Sequence, residues 1–273
     1  MRCPERWRLA LAAALCFAAA AGAAPADVRE SVAQRLKEHL PGLAAADYAL
    51  GSGAFDPERR EAQAQDAAAV APVLDAGRRI WTRKFRNGRS LAGCFPNGGR
   101  RVAATYPHFD SRLKIVVTLE MAINQCLKSH GEALLDPVDP ATMGAVMAYL
   151  RSLSDGQKVA VRVPQAAEGR FEQGRQLYFA RLGQRNYACA SCHVQGAGKR
   201  FEDAPLSPAI GQATHWLVLR GGTPVTLQAR IRECLELMGA APFPAGSDEL
   251  NNLEYFLTSL SNGLALRANP RRP

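Results

Sequence analysis

The strongest constraint on the fold is a repeat. Residues 148–156, from Ala148-Tyr149-Leu150 to Asp155-Gly156, and residues 255–263, from Tyr255-Phe256-Leu257 to Asn262-Gly263, share one pattern. Both read aromatic, Leu, x, Ser, Leu, Ser, Asp or Asn, Gly. Each closes an amphipathic helix, carried by Met143, Val146, Met147 and Leu150 in one copy and by Leu250, Leu253, Phe256, Leu257 and Leu260 in the other. The final Gly is a helix-stop residue, because it accepts the left-handed cap conformation. Upstream, Ile123-Asn124-Gln125-Cys126-Leu127 matches Ile231-Arg232-Glu233-Cys234-Leu235. Further upstream, Gly77-Arg78-Arg79-Ile80-Trp81 leads to Cys94 as Gly174-Arg175-Gln176-Leu177-Tyr178 leads to Cys189. Four landmarks in one order mark a duplicated domain. Ser154 to Ala167, with Pro164 and a polar run, reads as the linker, in which Val159–Val163 fits an extended strand. Ala24 to Asp75 is Ala-rich and reads as a helical N-terminal extension.

The chemistry concentrates in Cys189-Ala190-Ser191-Cys192-His193. C-x-x-C-H is the attachment motif of a c-type haem. Two thiols on one helical turn each add to a haem vinyl group, and the adjacent His becomes the proximal iron ligand. A zinc site would need a second Cys/His pair, and a redox dithiol would follow a strand in an α/β pattern. Neither is present. The flanking helices fit the crossed pair of a cytochrome c, so the expected architecture is all-α, with two tandem cytochrome c-like domains. One covalently bound haem c is expected.

The cysteine count extends the reading. Arg2, Arg6 and Arg8 precede 13 apolar residues, Leu9 to Ala21, and small residues at Ala23 and Ala26 suit cleavage. Residues 1–23 therefore read as a secretory signal peptide, with the apolar run too short to span a membrane. Cys3 and Cys16 would leave with it, and periplasmic export is the expected localisation. The expected units are 24–156, haem-free with its N-terminal extension, and 157–273, carrying the haem. Five cysteines remain: Cys94, Cys126, Cys189, Cys192 and Cys234. Cys94 stands where the first half should carry its haem motif, but Phe95-Pro96-Asn97-Gly98 follows and the second Cys and the His are missing. Cys126 stands where Cys234 does. In an oxidising compartment, two thiols facing one empty cavity are expected to form a disulfide.

The sixth iron ligand separates the possible functions. An electron carrier usually offers Met or His, and Met238 and His215 are candidates. Cys234 is a third, as a soft ligand lying between the haem motif and the last helix. Arg230 lies four residues earlier, on the same helical face, where its charge favours a thiolate. His39, His108 and His130 lack ligand spacing and read as ordinary residues.

These motifs, with Leu206-Ser207-Pro208-Ala209-Ile210-Gly211-Gln212-Ala213-Thr214-His215 and Arg230-Ile231-Arg232-Glu233-Cys234, resemble the SoxA family of sulfur-oxidation cytochromes in its one-haem form. The resemblance covers most of the chain beyond residue 23. It implies a heterodimer with a small SoxX-like cytochrome c, and oxidative coupling of thiosulfate to a cysteine of a SoxYZ-like carrier. The product would be a cysteine S-thiosulfonate, with two electrons leaving through haem. It further implies His193 and Cys234 as axial ligands, Cys234 as a persulfide, and Arg230 holding the anionic sulfur substrate. Two-haem members keep a second C-x-x-C-H at Cys94, which this chain lacks.

The formal charge is +9, falling to +7 without residues 1–23, from 31 basic against 24 acidic side chains. That excess suits a dianionic substrate. Export makes nucleic-acid binding a poor alternative. The rival readings are a plain electron-transfer cytochrome, a thiosulfate dehydrogenase (which usually has two haem motifs) and a non-catalytic scaffold subunit.

Overall fold

The computed structural model describes residues 24–58, 61, 67–201, 204–214, 219–220 and 223–267. The signal segment with Cys3 and Cys16, and the candidate ligand His215, lie outside the described residues. The described chain is helical, with three two-stranded antiparallel ribbons of two or three residues per strand. Its main helices are α1 (Pro25–His39), α2 (Ala67–Thr82), α3 (Leu119–Ser129), α4 (Ala145–Ser152), α5 (Glu168–Phe179), α6 (Leu227–Leu237) and α7 (Asp248–Leu260).

The repeat in the sequence is a repeat in space. Helix α2 crosses α4 in the first half, and α5 crosses α7 in the second. Glycine permits each crossing. A Cβ on Gly77 would lie 2.1 Å from the Ala145 carbonyl oxygen and 2.7 Å from Tyr149 Cβ; a Cβ on Gly174 would lie 2.0 Å from the Asn252 carbonyl oxygen and 2.9 Å from Phe256 Cβ. The landmark aromatics meet across the same crossings, Trp81 with Tyr149 at 6.5 Å and Tyr178 with Phe256 at 5.4 Å between ring centroids.

Helices α3 and α6 repeat down to single hydrogen bonds. Thr118 caps α3 by accepting from the Met121 N–H, and Thr226 caps α6 by accepting from the Ala229 N–H. These side-chain acceptors satisfy donors that a helix start leaves orphaned. The Asn124 amide donates to the Leu135 carbonyl, and Arg232 donates to the Phe243 carbonyl. Asp139 and Ser247 then cap the helical turns that follow.

Residues Val159–Val163 form no strand, which corrects the expectation from their β-branched sequence. The chain there is extended but pairs on both sides with single groups. Val159 donates to the Leu264 carbonyl, Ala160 donates to the Ala104 carbonyl, and the Asn262 amide exchanges two bonds of 2.9 Å with the Val161 backbone. The linker is thus a shared seam between the halves.

The N-terminal extension contains α1 and a 3₁₀ stretch, Ala45–Ala54. Helix α1 buries Val28, Val32 and Leu36, one stripe at four-residue spacing. It lies on the second half, where Arg29 donates to the carbonyls of Leu260 (3.1 Å) and Asn262 (2.9 Å).

A buried polar cluster sits where the halves meet. Glu120 from α3, Arg151 from α4, Gln228 from α6 and Glu254 from α7 converge there. Gln228 donates to Glu254 at 3.0 Å and to Asn251 at 2.9 Å, and Arg151 donates to the Ala213 carbonyl at 2.7 Å. Burial raises the pKa of both carboxyls, since the charged form loses its hydration, and their mutual repulsion adds to the rise at Glu254. One arginine serves two carboxyls, so the cluster holds a proton at neutral pH.

Candidate functional site

The C-x-x-C-H segment lies at the start of a single wide helical turn, Ser191–Gln195. Ala188 and Ala190 are buried, while Cys189 and Cys192 are half-buried. Ser191 fixes the entry, its hydroxyl accepting from the Ala188 N–H at 3.0 Å. Cys189, Cys192 and Cys234 carry thiols, whereas Cys94 and Cys126 are joined in a disulfide with a Cα–Cα distance of 6.0 Å.

His193 is held from one side. Its Nδ1 lies 2.8 Å from the Ser207 carbonyl oxygen, 3.3 Å from the Ser207 hydroxyl and 2.6 Å from the Gln212 side-chain amide. A carbonyl can only accept, so with the Gln212 amide turned to present its oxygen in place of its NH2 group, the proton sits on Nδ1 and the lone pair sits on Nε2. A metal-binding imidazole has this arrangement, with the second nitrogen donating to a fixed acceptor. The His193 carbonyl in turn accepts from the Ala209 N–H at 2.7 Å. The N-terminal extension supports this loop from behind: a Cβ on Gly211 would lie 2.6 Å from the Tyr48 carbonyl oxygen.

Cys234 reaches the same place from α6. The Cys189 thiol is pushed up to about 12, by burial first and then by the nearby charge of Cys234. Cys192 is raised for the same two reasons in the same order. Three sulfurs therefore share one region, and the two of the C-x-x-C pair stay neutral thiols. Arg230 lies one turn before Cys234 on α6, half-exposed, with its guanidinium 2.8 Å from the Glu233 carboxylate. Met238 is buried and closes the same helix, one turn after Cys234.

The donor set suits a c-type haem: two neutral thiols, an imidazole with Nε2 as its lone-pair nitrogen, and a third sulfur. Sequence reasoning did not find the roles of Ser207 and Gln212. Both lie in the segment Leu206 to His215, but that they orient His193 depends on how the loop folds back. His130, read as an ordinary residue, packs beside the disulfide. It lies within 4.8 Å of both disulfide sulfurs, and its Nδ1 is 3.1 Å from the Asn87 amide nitrogen.

The family model for the SoxA/TsdA cytochrome c domain matches residues 76–159 and 173–266. The chain belongs to the SoxA/TsdA cytochrome c family. Both matched stretches are the helical halves described above, so the fold is two tandem cytochrome c-type units, and haem c is the family's cofactor. The chain is 39% identical over 245 residues to the L-cysteine S-thiosulfotransferase subunit SoxA of Chlorobaculum thiosulfatiphilum, covering 88% of this chain and 84% of that protein. It is 35% identical to the SoxA subunit of Allochromatium vinosum, covering 89% of each. The crystal structure of SoxXA from P. pantotrophus superposes with a TM-score of 0.68 at 27% identity, covering 75% of this chain and 79% of that one. Among the described residues, no helix is long and apolar enough to cross a membrane.

Proposed function

We propose that this chain is the haem-bearing catalytic subunit of an L-cysteine S-thiosulfotransferase, joining thiosulfate to a cysteine of a SoxYZ-like carrier. The supporting observation is the gathering of Cys234 with Cys189 and Cys192, one helical turn from Arg230. The residue-160s seam separates a haem-free unit, 24–156, from a haem unit, 157–273, and residues 1–23 direct export to the periplasm. A SoxX-like cytochrome c is the partner subunit.

Cys189 and Cys192 would hold one haem c through two thioethers, and His193 Nε2 and Cys234 would bind its iron. The haem supplies a route for electrons. In the reaction, the carrier thiolate and thiosulfate form one S–S bond and release two electrons, giving a monoanionic S-thiosulfonate. Three units of negative charge, one from the carrier thiolate and two from thiosulfate, must be tolerated near Cys234 until the electrons leave. Arg230 offsets part of it. Its ion pair with Glu233 holds it on α6, and an arriving dianion competes with that carboxylate for the guanidinium.

The test uses the purified holoprotein with its small cytochrome partner, carrier and thiosulfate. Cys234→Met is expected to keep a six-coordinate low-spin haem spectrum and to lose coupling. Full turnover by Cys234→Met would replace this reading with a plain electron-transfer cytochrome. The position of Met238, buried one turn beyond Cys234, is the observation that favours that second reading.

A further inference from the structure

The excess positive charge of this chain is not spread over it. From residue 24 onward, basic side chains outnumber acidic ones by seven. Residues 76–109 alone carry eight basic side chains and no acidic one. The rest of the chain is therefore close to neutral, and the whole surplus lies in one segment of the haem-free half.

The fold draws that segment together. It runs from the last turns of α2 through the loop holding Cys94 to a returning turn. Trp81 closes it, donating to the Gly98 carbonyl at 3.2 Å and filling the space where a Cβ on Gly99 would be, at 2.7 Å. The chain around Trp81 and the chain around Gly98 and Gly99, each flanked by basic residues, are thus brought together. All eight are exposed. Arg78 pairs with Asp75, and Arg83 reaches Glu132 at 4.0 Å. The side chains of Arg79, Lys84, Arg86, Arg89, Arg100 and Arg101 form no ion pair or side-chain hydrogen bond among the described residues. Arg101 is also held at φ 65°, a left-handed backbone that costs a non-glycine residue about 1 kcal/mol or more. Its N–H donates to the Leu153 carbonyl at 3.2 Å, which anchors this turn on the end of α4.

We propose that this face docks the acidic surface of a partner protein. Six uncommitted cations repel one another, and that cost is relieved when carboxylates approach. Their exposure makes them a face, not a pocket: a small anion site needs donors converging on one point. Seven of the eight are arginines, whose planar fork matches carboxylates in pairs. An anionic bilayer is the weaker match. Interfacial binding also needs apolar or aromatic anchors, and the large exposed apolar side chains, Leu113, Leu134, Tyr187 and Leu237, all lie outside this segment. The face therefore steers a protein partner by charge, and it does so on the half without C-x-x-C-H. This proposal stands independently of the thiosulfate reading.

The experiment titrates the purified holoprotein with poly-L-glutamate at rising NaCl. The variant Arg86→Glu/Arg89→Glu/Arg100→Glu is compared with Arg162→Glu/Arg181→Glu/Arg185→Glu, which changes net charge equally from exposed positions on the second half. Reversal in the basic segment is expected to weaken binding roughly 10-fold or more and to flatten its salt dependence; the control is expected to change it less than about 3-fold. Equal losses in both variants would reduce the effect to net charge and overturn the proposal. So would tight binding to phosphatidylglycerol vesicles that poly-L-glutamate fails to displace. Circular dichroism and the haem spectrum check folding, and Arg→Gln versions at the same positions give the same comparison at smaller amplitude if reversal prevents folding.

Discussion

The two halves share a frame and differ in what fills it. Both cross a glycine-bearing helix over an aromatic-bearing one, and both carry, between these two in sequence, a threonine-capped helix that bears a cysteine. In the second half, that cysteine lies close enough to the thiols of a C-x-x-C-H turn for its charge to raise their pKa values. In the first half, the equivalent Cys126 meets Cys94 and closes a disulfide across 32 residues of sequence separation. One covalent link thus occupies, in the first half, the place where the second half gathers three thiols. The frame tolerates either because it is held elsewhere, by the glycine crossings and the helix caps. Losing a haem motif removes chemistry while leaving the architecture standing.

The largest expected effect separates the two cysteines that the repeat makes equivalent. Cys234→Met is expected to abolish thiosulfate coupling, whereas Cys94→Ser/Cys126→Ser keeps most of the turnover per folded molecule. Stopped assays with carrier and thiosulfate measure both, and comparable activity losses would erase the division of labour. Next is Arg230→Ala, which should retain the haem spectrum and lose about 10² to 10³ in rate, the usual cost of one well-placed charge contact. An unchanged rate would leave Arg230 as a surface ion pair with Glu233.

Stability changes should fall mainly on the other half. Removing the disulfide is expected to cost about 3 to 4 kcal/mol in the chain-entropy model, read by urea unfolding under non-reducing conditions. Gly77→Ala and Gly174→Ala test whether the crossings are equivalent. Each adds a Cβ about 2 Å from a carbonyl oxygen, so each should destabilise by about 1–3 kcal/mol through forced separation of the helices. A difference larger than that range between the two would show that one half can relax where the other cannot.

The smallest effect probes the seam. The Glu254 pKa rises from 4.5 unfolded to about 8 folded. A group raised in this way binds its proton more tightly when folded, so its contribution to stability is complete below pH 4.5 and is lost as pH rises through 8. The melting temperature should therefore fall by a few degrees more in the wild type than in Glu254→Gln between pH 6 and pH 9. Parallel curves for the two proteins would place the titrating proton elsewhere.

Much of the site was legible because it rests on local spacing. C-x-x-C-H occupies one helical turn, and Arg230 and Cys234 lie one turn apart on a helix whose pattern is plain. The repeat, too, could be read from four landmarks. The support of His193 was not legible: Ser207 and Gln212 are 14 and 19 residues away, and nothing in their identity marks them until the loop returns. The β-branched run Val159–Val163 fits an extended strand, but local propensity cannot say which groups a seam segment will pair with.

The sequence by itself determined the duplicated helical frame and the loss of C-x-x-C-H from its first copy. It also determined the cysteine inventory and the concentration of positive charge between residues 76 and 109. These follow from periodicity, spacing and counting, which are properties of a chain before it folds. Tertiary structure alone decided that α1 crosses to brace the second half and that the Ser207 carbonyl and the Gln212 side chain close on His193 Nδ1. It also decided that Glu120 and Glu254, 134 residues apart in sequence, share one arginine. Each of these depends on two distant segments losing water together, and the energy of that burial belongs to neither segment until both are in place.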